Sequence, residues 1–212
     1  MILTGQEILD LMCEPLETRL VITPLLDPNE QVVTGAGSID LRLGQDFVLA
    51  DPAVLSSLDP VKQEENELAG YLRPVHVGLG GRFVLHPRQF ALAATLEYVR
   101  LPNTVAAHVI GRSRWARVGL IIAMATFVHP GYSGCLTLEL QNLGDCPIEL
   151  TPCLTIAQLT VEKISKPQEI DKSQISCSVG PEFRTLMTSP ERDRLLALHR
   201  NHKKLSADDQ PW

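Results

Sequence analysis

The stretch G-R-S-R-W-A-R, Gly111–Arg117, and the stretch H-P-G-Y-S-G-C-L-T-L-E-L-Q-N, His129–Asn142, decide how this chain of 212 residues reads. An apolar run, Val118–Val128, joins them. The first stretch sets three arginines and a serine behind a glycine. A guanidinium is planar and permanently charged, and it can grip phosphate oxygens through two parallel hydrogen bonds. The second stretch alternates. Leu136, Leu138 and Leu140 point to one face of a strand, and Cys135, Thr137, Glu139 and Gln141 to the other. Glu139 is thus an acid on the face opposite a leucine stripe. Alone, such an acid is usually the solvated side of a sheet, and an arginine cluster is usually a surface patch.

Working outward, the same alternation recurs. In Ser38–Gly44, Ile39, Leu41 and Leu43 alternate with Asp40 and Arg42, which read as a cross-strand or same-face ion pair on a solvated sheet face. Strands return from Arg82, with His86-Pro87-Arg88 breaking one run and Phe90–Tyr98 making the next. Leu101-Pro102-Asn103 turns into a strand over Val105–Ile110. Near the start, Thr4 and Glu7 have capping-box spacing before Ile8, Leu9, Leu11 and Met12, which predicts a short helix. Val21–Leu26 and Gln31–Val33 read as strands around Asp27-Pro28-Asn29. Asp51–Leu72 is charged and aperiodic, the pattern of an insertion loop. Many short strands and frequent turns predict an all-β barrel or jelly-roll-like core. After Ile164 the chain turns polar, and Ser189-Pro190-Glu191 opens a predicted helix near residues 190–204, with Ser as N-cap and Pro at the first helical position. The organisation expected is a β domain over 1–164 and a tail over 165–212.

Composition bounds the function. A chain that is 44% hydrophobic and 21% charged is that of a soluble globular protein. A net charge of −6 argues against binding a nucleic-acid polymer or a membrane surface, so local arginines must hold any anionic substrate. Five cysteines without C-x-x-C spacing indicate neither a disulfide framework nor a zinc ribbon, and reduced thiols fit a cytoplasmic setting. The first residues lack the basic start and apolar run of a signal peptide, and no apolar stretch is long enough to span a bilayer.

GRSRWARVGL, then PGYSGCLTLELQN, then PIELTPCLTIAQL together resemble the dCTP deaminase family, a branch of the dUTPase-like trimeric fold. SIDLRLGQDF and FVLHPRQFALAATLEYVRLP agree with it. The resemblance covers about Leu3–Ile164. It implies a mainly β fold: a dUTPase-like distorted β-barrel or jelly-roll core with a short N-terminal helix and a C-terminal helical tail. It also implies a hydrolase acting on a cyclic amidine C–N bond, converting dCTP to dUTP and ammonia, in a homotrimer with sites between subunits.

Hydrolytic deamination needs a water made nucleophilic and aimed at C4 of cytosine, a proton for ring N3, and a proton for the departing amine. One well-placed carboxylate can carry all of these. Zinc deaminases use an H-x-E…P-C-x-x-C signature, which is absent from this sequence. The resemblance implies the route without catalytic zinc, with Glu139 as base and acid. By the same resemblance Ser113 bonds the reacting water and amine, Arg117 orients and polarises the site, and Arg112 contacts the triphosphate, which Mg²⁺ accompanies. Arg114 beside it is a further substrate-binding candidate. Thr137 and Leu138 fall where strand backbone meets the base, Tyr132 abuts the sugar, and Lys172 and Gln174 echo a closing tail with Gly180-Pro181.

The chain departs from the family pattern at His129, where members have an aspartate, and over Ala125–His129, which is one residue shorter. A histidine there can still hydrogen-bond the sugar, which keeps His129 a substrate-binding candidate, but it counts against dUTP hydrolysis. Two rival readings stand beside deamination: a nucleotide-binding or regulatory module on the same fold, and a dUTP diphosphatase or bifunctional enzyme.

Overall fold

The computed structural model describes residues 1–25, 27–50, 70–122, 125–169, 177–182 and 190–198. In chain order the elements are α1 (Gly5–Met12), β1 (Val21–Thr23), α2 (Pro28–Gln31), β2 (Val32–Val33), β3 (Ser38–Ala50), β4 (Leu72–His76), β5 (Phe83–Leu85), β6 (Phe90–Arg100), β7 (Val105–Gly111), α3 (Ser113–Ala116), β8 (Leu120–Ile122), β9 (Phe127–Val128), β10 (Ser133–Asn142), β11 (Ile148–Leu150) and β12 (Thr155–Lys163). The chain divides into two units, Met1–Leu49 with Pro74–Glu182, and Ala50–Arg73 with Phe183–Trp212. In the second, residues 190–198 are helical. Most of the expected insertion loop, residues 51–69, and the expected helical residues 199–204 lie outside the described residues.

The main sheet runs β8-β10-β6-β3-β12-β7-β9, and β5 pairs with β11 in a second, two-stranded sheet. Strand β3 organises it by serving two neighbours. Its first half pairs antiparallel with β12, Ser38 opposite Thr160 and Arg42 opposite Thr155. Its second half lies against β6, Leu43 opposite Thr95 and Leu49 opposite Ala91. The change of partner falls at Gly44, where a Cβ would meet the Ala94 carbonyl at 2.9 Å. A residue without a side chain lets the two backbones close there and the sheet turn a corner. The result is the mainly β, curled architecture that the strand pattern predicts.

The core follows from alternation. Ile39, Leu41, Leu43 and Phe47 of β3, Leu138 and Leu140 of β10, and Leu159 and Val161 of β12 are all buried. Phe47 stacks on Phe83 with ring centroids 4.1 Å apart, which ties the two-stranded sheet to this interior. At the N-terminus Thr4 and Glu7 form the expected capping box on α1.

Three expectations need correction. Gln31–Val33 is not a strand throughout, because Asp27 caps a helical turn by accepting from the Asn29 N–H at 2.8 Å and Pro28 opens it. Only Val32–Val33 extends. The strand at Val21 stops at Thr23, just before Pro24, which has no N–H to give a ladder. Asp40 and Arg42 lie on a half-buried rather than a solvated face, and the ion pair is cross-strand, not same-face. Arg42 Nε donates to Glu97 Oε1 at 2.6 Å, its main-chain N–H donates to Glu97 Oε2 at 2.8 Å, and Gln31 Nε2 donates to Glu97 Oε1 at 3.0 Å. Glu97 is wholly buried, so it draws the nearest cation inward. Cys135, on the face opposite the leucine stripe, belongs to the core. The β6–β10 register shifts between Cys135 and Thr137, and burial pushes the Cys135 thiol up, aided by the nearby Glu97 charge.

Candidate active site

Beyond that register shift the expected alternation holds: Thr137, Glu139 and Gln141 are half-buried, and Leu138, Leu140 and Asn142 are buried. Glu139 lies opposite Leu92 of β6. On its other side β8 runs antiparallel, with Ile122 opposite Leu140 and Leu120 opposite Asn142. The chain leaving β8 returns to the acid: the Ala125 N–H donates to Glu139 Oε2 at 3.3 Å. A carboxylate that is half-buried and met by a main-chain donor has a fixed orientation while keeping access to water.

The arginine stretch forms the single turn α3 at the end of β7. Arg112 precedes it as N-cap in extended conformation, and the Arg117 N–H closes it on the Ser113 carbonyl at 3.1 Å. Gly111 sits where a Cβ would lie 3.4 Å from the Ile122 carbonyl. The start of α3 therefore lies beside β8, the strand that borders Glu139. Ser113 and Arg117 are exposed on this turn. Arg112 Nη1 donates to Asp40 Oδ2 at 2.5 Å, and Asp40 Oδ1 accepts from Gln158 Nε2 at 3.2 Å. A guanidinium carries five donors, so this pair orients Arg112 without exhausting it. Arg114 Nη2 and Trp115 Nε1 both donate to the Thr155 carbonyl, at 2.7 and 3.1 Å. Arg114 also lies over the Trp115 ring, 5.4 Å from its centroid. That tether makes Arg114 a brace between α3 and β12.

The residues expected to meet base and sugar lie on β10 and on the chain that leads into it. His129 is exposed and stands edge-on to Phe127 at 4.8 Å, and Phe127 in turn lies 5.3 Å from His108. Tyr132 packs against the core and its hydroxyl donates to the Cys135 carbonyl at 2.7 Å. The Thr137 hydroxyl accepts from the Glu182 N–H at 3.0 Å. Leu138 is fully buried, so only its main chain can approach a ligand. Lys172 and Gln174 lie outside the described residues. The segment 177–182, which holds Gly180-Pro181, lies along the start of β10. The Cys177 N–H donates to the Ser133 carbonyl at 3.1 Å and the Cys135 N–H to the Ser178 carbonyl at 2.7 Å. Gly134 makes room for it, since a Cβ there would press on Ser178 main-chain atoms at 3.2 Å.

Two participants escaped the sequence reading. Asp40 holds Arg112 across two strands, and nothing local in the sequence announces a bond from position 40 to position 112. Asn142 was visible as an N-x-G turn signal, Asn142-Leu143-Gly144, that a reading for chemistry passes over. Among the described residues no group of three or more His, Cys, Asp or Glu side chains is placed to hold a metal ion. Among them, too, no helix is long and apolar enough to cross a membrane.

Comparison with known proteins agrees with this architecture. The family described as dCTP deaminase-like matches residues 2–164. A dCTP deaminase of Haloarcula marismortui is 40% identical over 151 residues, 71% of this chain and 75% of that protein. A dCTP deaminase, dUMP-forming, of Methanobrevibacter smithii is 37% identical over 155 residues, 73% of this chain and 77% of that protein. The crystal structure of 2′-deoxycytidine 5′-triphosphate deaminase from Agrobacterium tumefaciens superposes with a TM-score of 0.57 at 22% identity, covering 77% of this chain and 48% of that one. This chain thus spans about half the length of that solved chain, and the likeness to it is one of fold.

Proposed function

The chain belongs to the dCTP deaminase-like family, and from that premise we propose that it hydrolyses dCTP to dUTP and ammonia with Glu139 as both base and acid. The observation that carries the reading is the Glu139 carboxylate, half-buried on β10 with one oxygen held by the Ala125 N–H. In the proposed reaction Glu139 takes a proton from water as the oxygen bonds to C4, and passes that proton to N3. It then takes the second proton of the former water and gives it to the amine nitrogen as the C4–N bond breaks and the carbonyl forms. One water is consumed and one ammonia released. General acid–base help of this kind is worth about 10²–10⁴-fold.

Ser113 is assigned to the water and amine, and Arg117 to polarising the site. Arg112, oriented by Asp40, is assigned to the triphosphate together with Arg114, whose tether to Thr155 leaves it the lesser part. Mg²⁺ enters with the triphosphate as part of the substrate. Tyr132 and His129 are assigned to the sugar, Thr137 and the Leu138 main chain to the base, and Lys172 and Gln174 to the tail. The exposure of Ser113 and Arg117 supports a site completed by neighbouring subunits of a homotrimer, built from the β domain 1–164 with 165–212 as its tail.

The M. smithii relative, named dUMP-forming, keeps a second reading in view: deamination followed by loss of diphosphate. Incubation with dCTP, CTP and dUTP, following ammonia and pyrophosphate separately, decides between them. Ammonia without pyrophosphate from dCTP supports the proposal. Pyrophosphate release supports the second reading, and saturable binding without product would reduce the chain to a nucleotide-binding module.

A further inference from the structure

Asn142 is wholly buried and every polar group it owns is bonded. Its Nδ2 donates to the Leu85 and Cys146 carbonyls, both at 2.9 Å, and its Oδ1 accepts from the Gly144 N–H at 2.9 Å. Its own N–H donates to the Gln89 carbonyl at 3.2 Å, and its carbonyl accepts from the Arg88 N–H at 2.8 Å. A buried amide satisfied on all sides admits one geometry, so the turn 143–146 is fixed relative to β10.

That turn then grips the far end of the arginine stretch. The Leu143 N–H donates to the Gly119 carbonyl at 2.8 Å. Gly119 has φ +85°, and a Cβ on it would lie 2.5 Å from the Gly144 nitrogen. A Cβ on Gly144 would lie 2.9 Å from the Val118 carbonyl. Gly119 itself closes α3, its N–H donating to the Ala116 carbonyl at 3.0 Å. From Asn142 to α3 the connection is main chain on main chain, with no flexible side chain between.

We infer that Asn142 is a positioning residue: through the Gly144–Gly119 contact it sets where α3, with Ser113 and Arg117, stands relative to Glu139, three positions before it on the same strand. Which residues are positioned rests on the functional reading above. The mechanical claim, that the Asn142 turn places α3, stands on the bonds alone.

Asn142→Ala would take a partner from the Leu85 and Cys146 carbonyls and the Gly144 N–H and endanger the fold, so the test uses Gly119→Ala, which adds one methyl at the contact. Leu150→Ala is the control, because Leu150 is fully buried on β11 and its loss destabilises without touching the contact. Two readouts are taken on the full chain well below the melting point. In the first, Gly119→Ala lowers kcat for dCTP by about 100-fold, the cost of a displacement near 1 Å, with KM little changed, while Leu150→Ala keeps its kcat per folded molecule. In the second, Trp115 of α3 is made the sole tryptophan by Trp212→Phe. Its emission moves to the red and its quenching by acrylamide rises in Gly119→Ala but not in Leu150→Ala. Equal kcat losses in the two variants, or unchanged Trp115 emission in Gly119→Ala, overturns the inference. A wild-type protein that releases no ammonia from dCTP defeats the functional reading instead, and Trp115 emission then decides the mechanical claim alone.

Discussion

Glu97 on β6 and Glu139 on β10 are carried by neighbouring strands, yet their surroundings differ in kind. Glu97 is wholly buried and accepts from the Arg42 Nε, the Arg42 N–H and Gln31 Nε2. Its charge is spent on tying α2 and β3 to β6. Glu139 is half-buried, borders β8, and is met by the N–H of the loop that follows. Glu97 is closed off from water, whereas Glu139 keeps a face open to it. The difference teaches that the presence of an acid on a strand says little, and that its neighbours on adjacent strands say what it is for.

The comparison can be broken most severely at Glu139. Glu139→Gln keeps shape and removes the base, so kcat for dCTP should fall by about 10²–10⁴-fold while dCTP still binds. Undiminished turnover would strip the residue of its role. Next comes Glu97→Ala. Leaving Arg42, whose side chain is only 12% exposed, without its partner should cost about 3–5 kcal/mol of stability, read from denaturant midpoints, with turnover per folded molecule retained at low temperature. Loss of turnover without loss of stability would mean that the two acids had been assigned the wrong way round. Arg112→Ala should weaken triphosphate binding by about 10–100-fold, the value of a charge-assisted contact, with nucleoside binding spared. Equal affinity would leave Arg112 as a partner of Asp40 only. The smallest effect belongs to Arg82–Glu149, an exposed pair at 2.7 Å. Arg82→Ala should leave the denaturant midpoint nearly unchanged, and more nearly so at high salt.

Local patterns carried most of the fold. The leucine stripe of β10, the alternation of β3 and the capping box at Thr4 each involve residues a few positions apart, and each is found where the sequence puts it. Features set by distant partners were not legible. Asp40 and Arg42 read as an ion pair, but their partners, Arg112 just after β7 and Glu97 on β6, come from distant parts of the chain. That the segment 177–182 lies along Cys135 is likewise invisible locally. For the candidate site, the motif named Glu139, Ser113, Arg112 and Arg117 at once, because motif spacing is local. It could not tell that Arg114 is bound to the Thr155 carbonyl, or that Asn142 fastens the turn against Gly119. Those are long-range closures, and they exist only once the sheet has assembled.

The central claim is that Glu139 directs water onto C4 of the cytosine ring, and it is tested most directly by running the wild-type reaction in water labelled with the heavy oxygen isotope. The account predicts dUTP carrying one heavy oxygen on its base carbonyl, with one ammonia released for each label. Label found only in phosphate or pyrophosphate, or dCTP recovered unchanged, would contradict it.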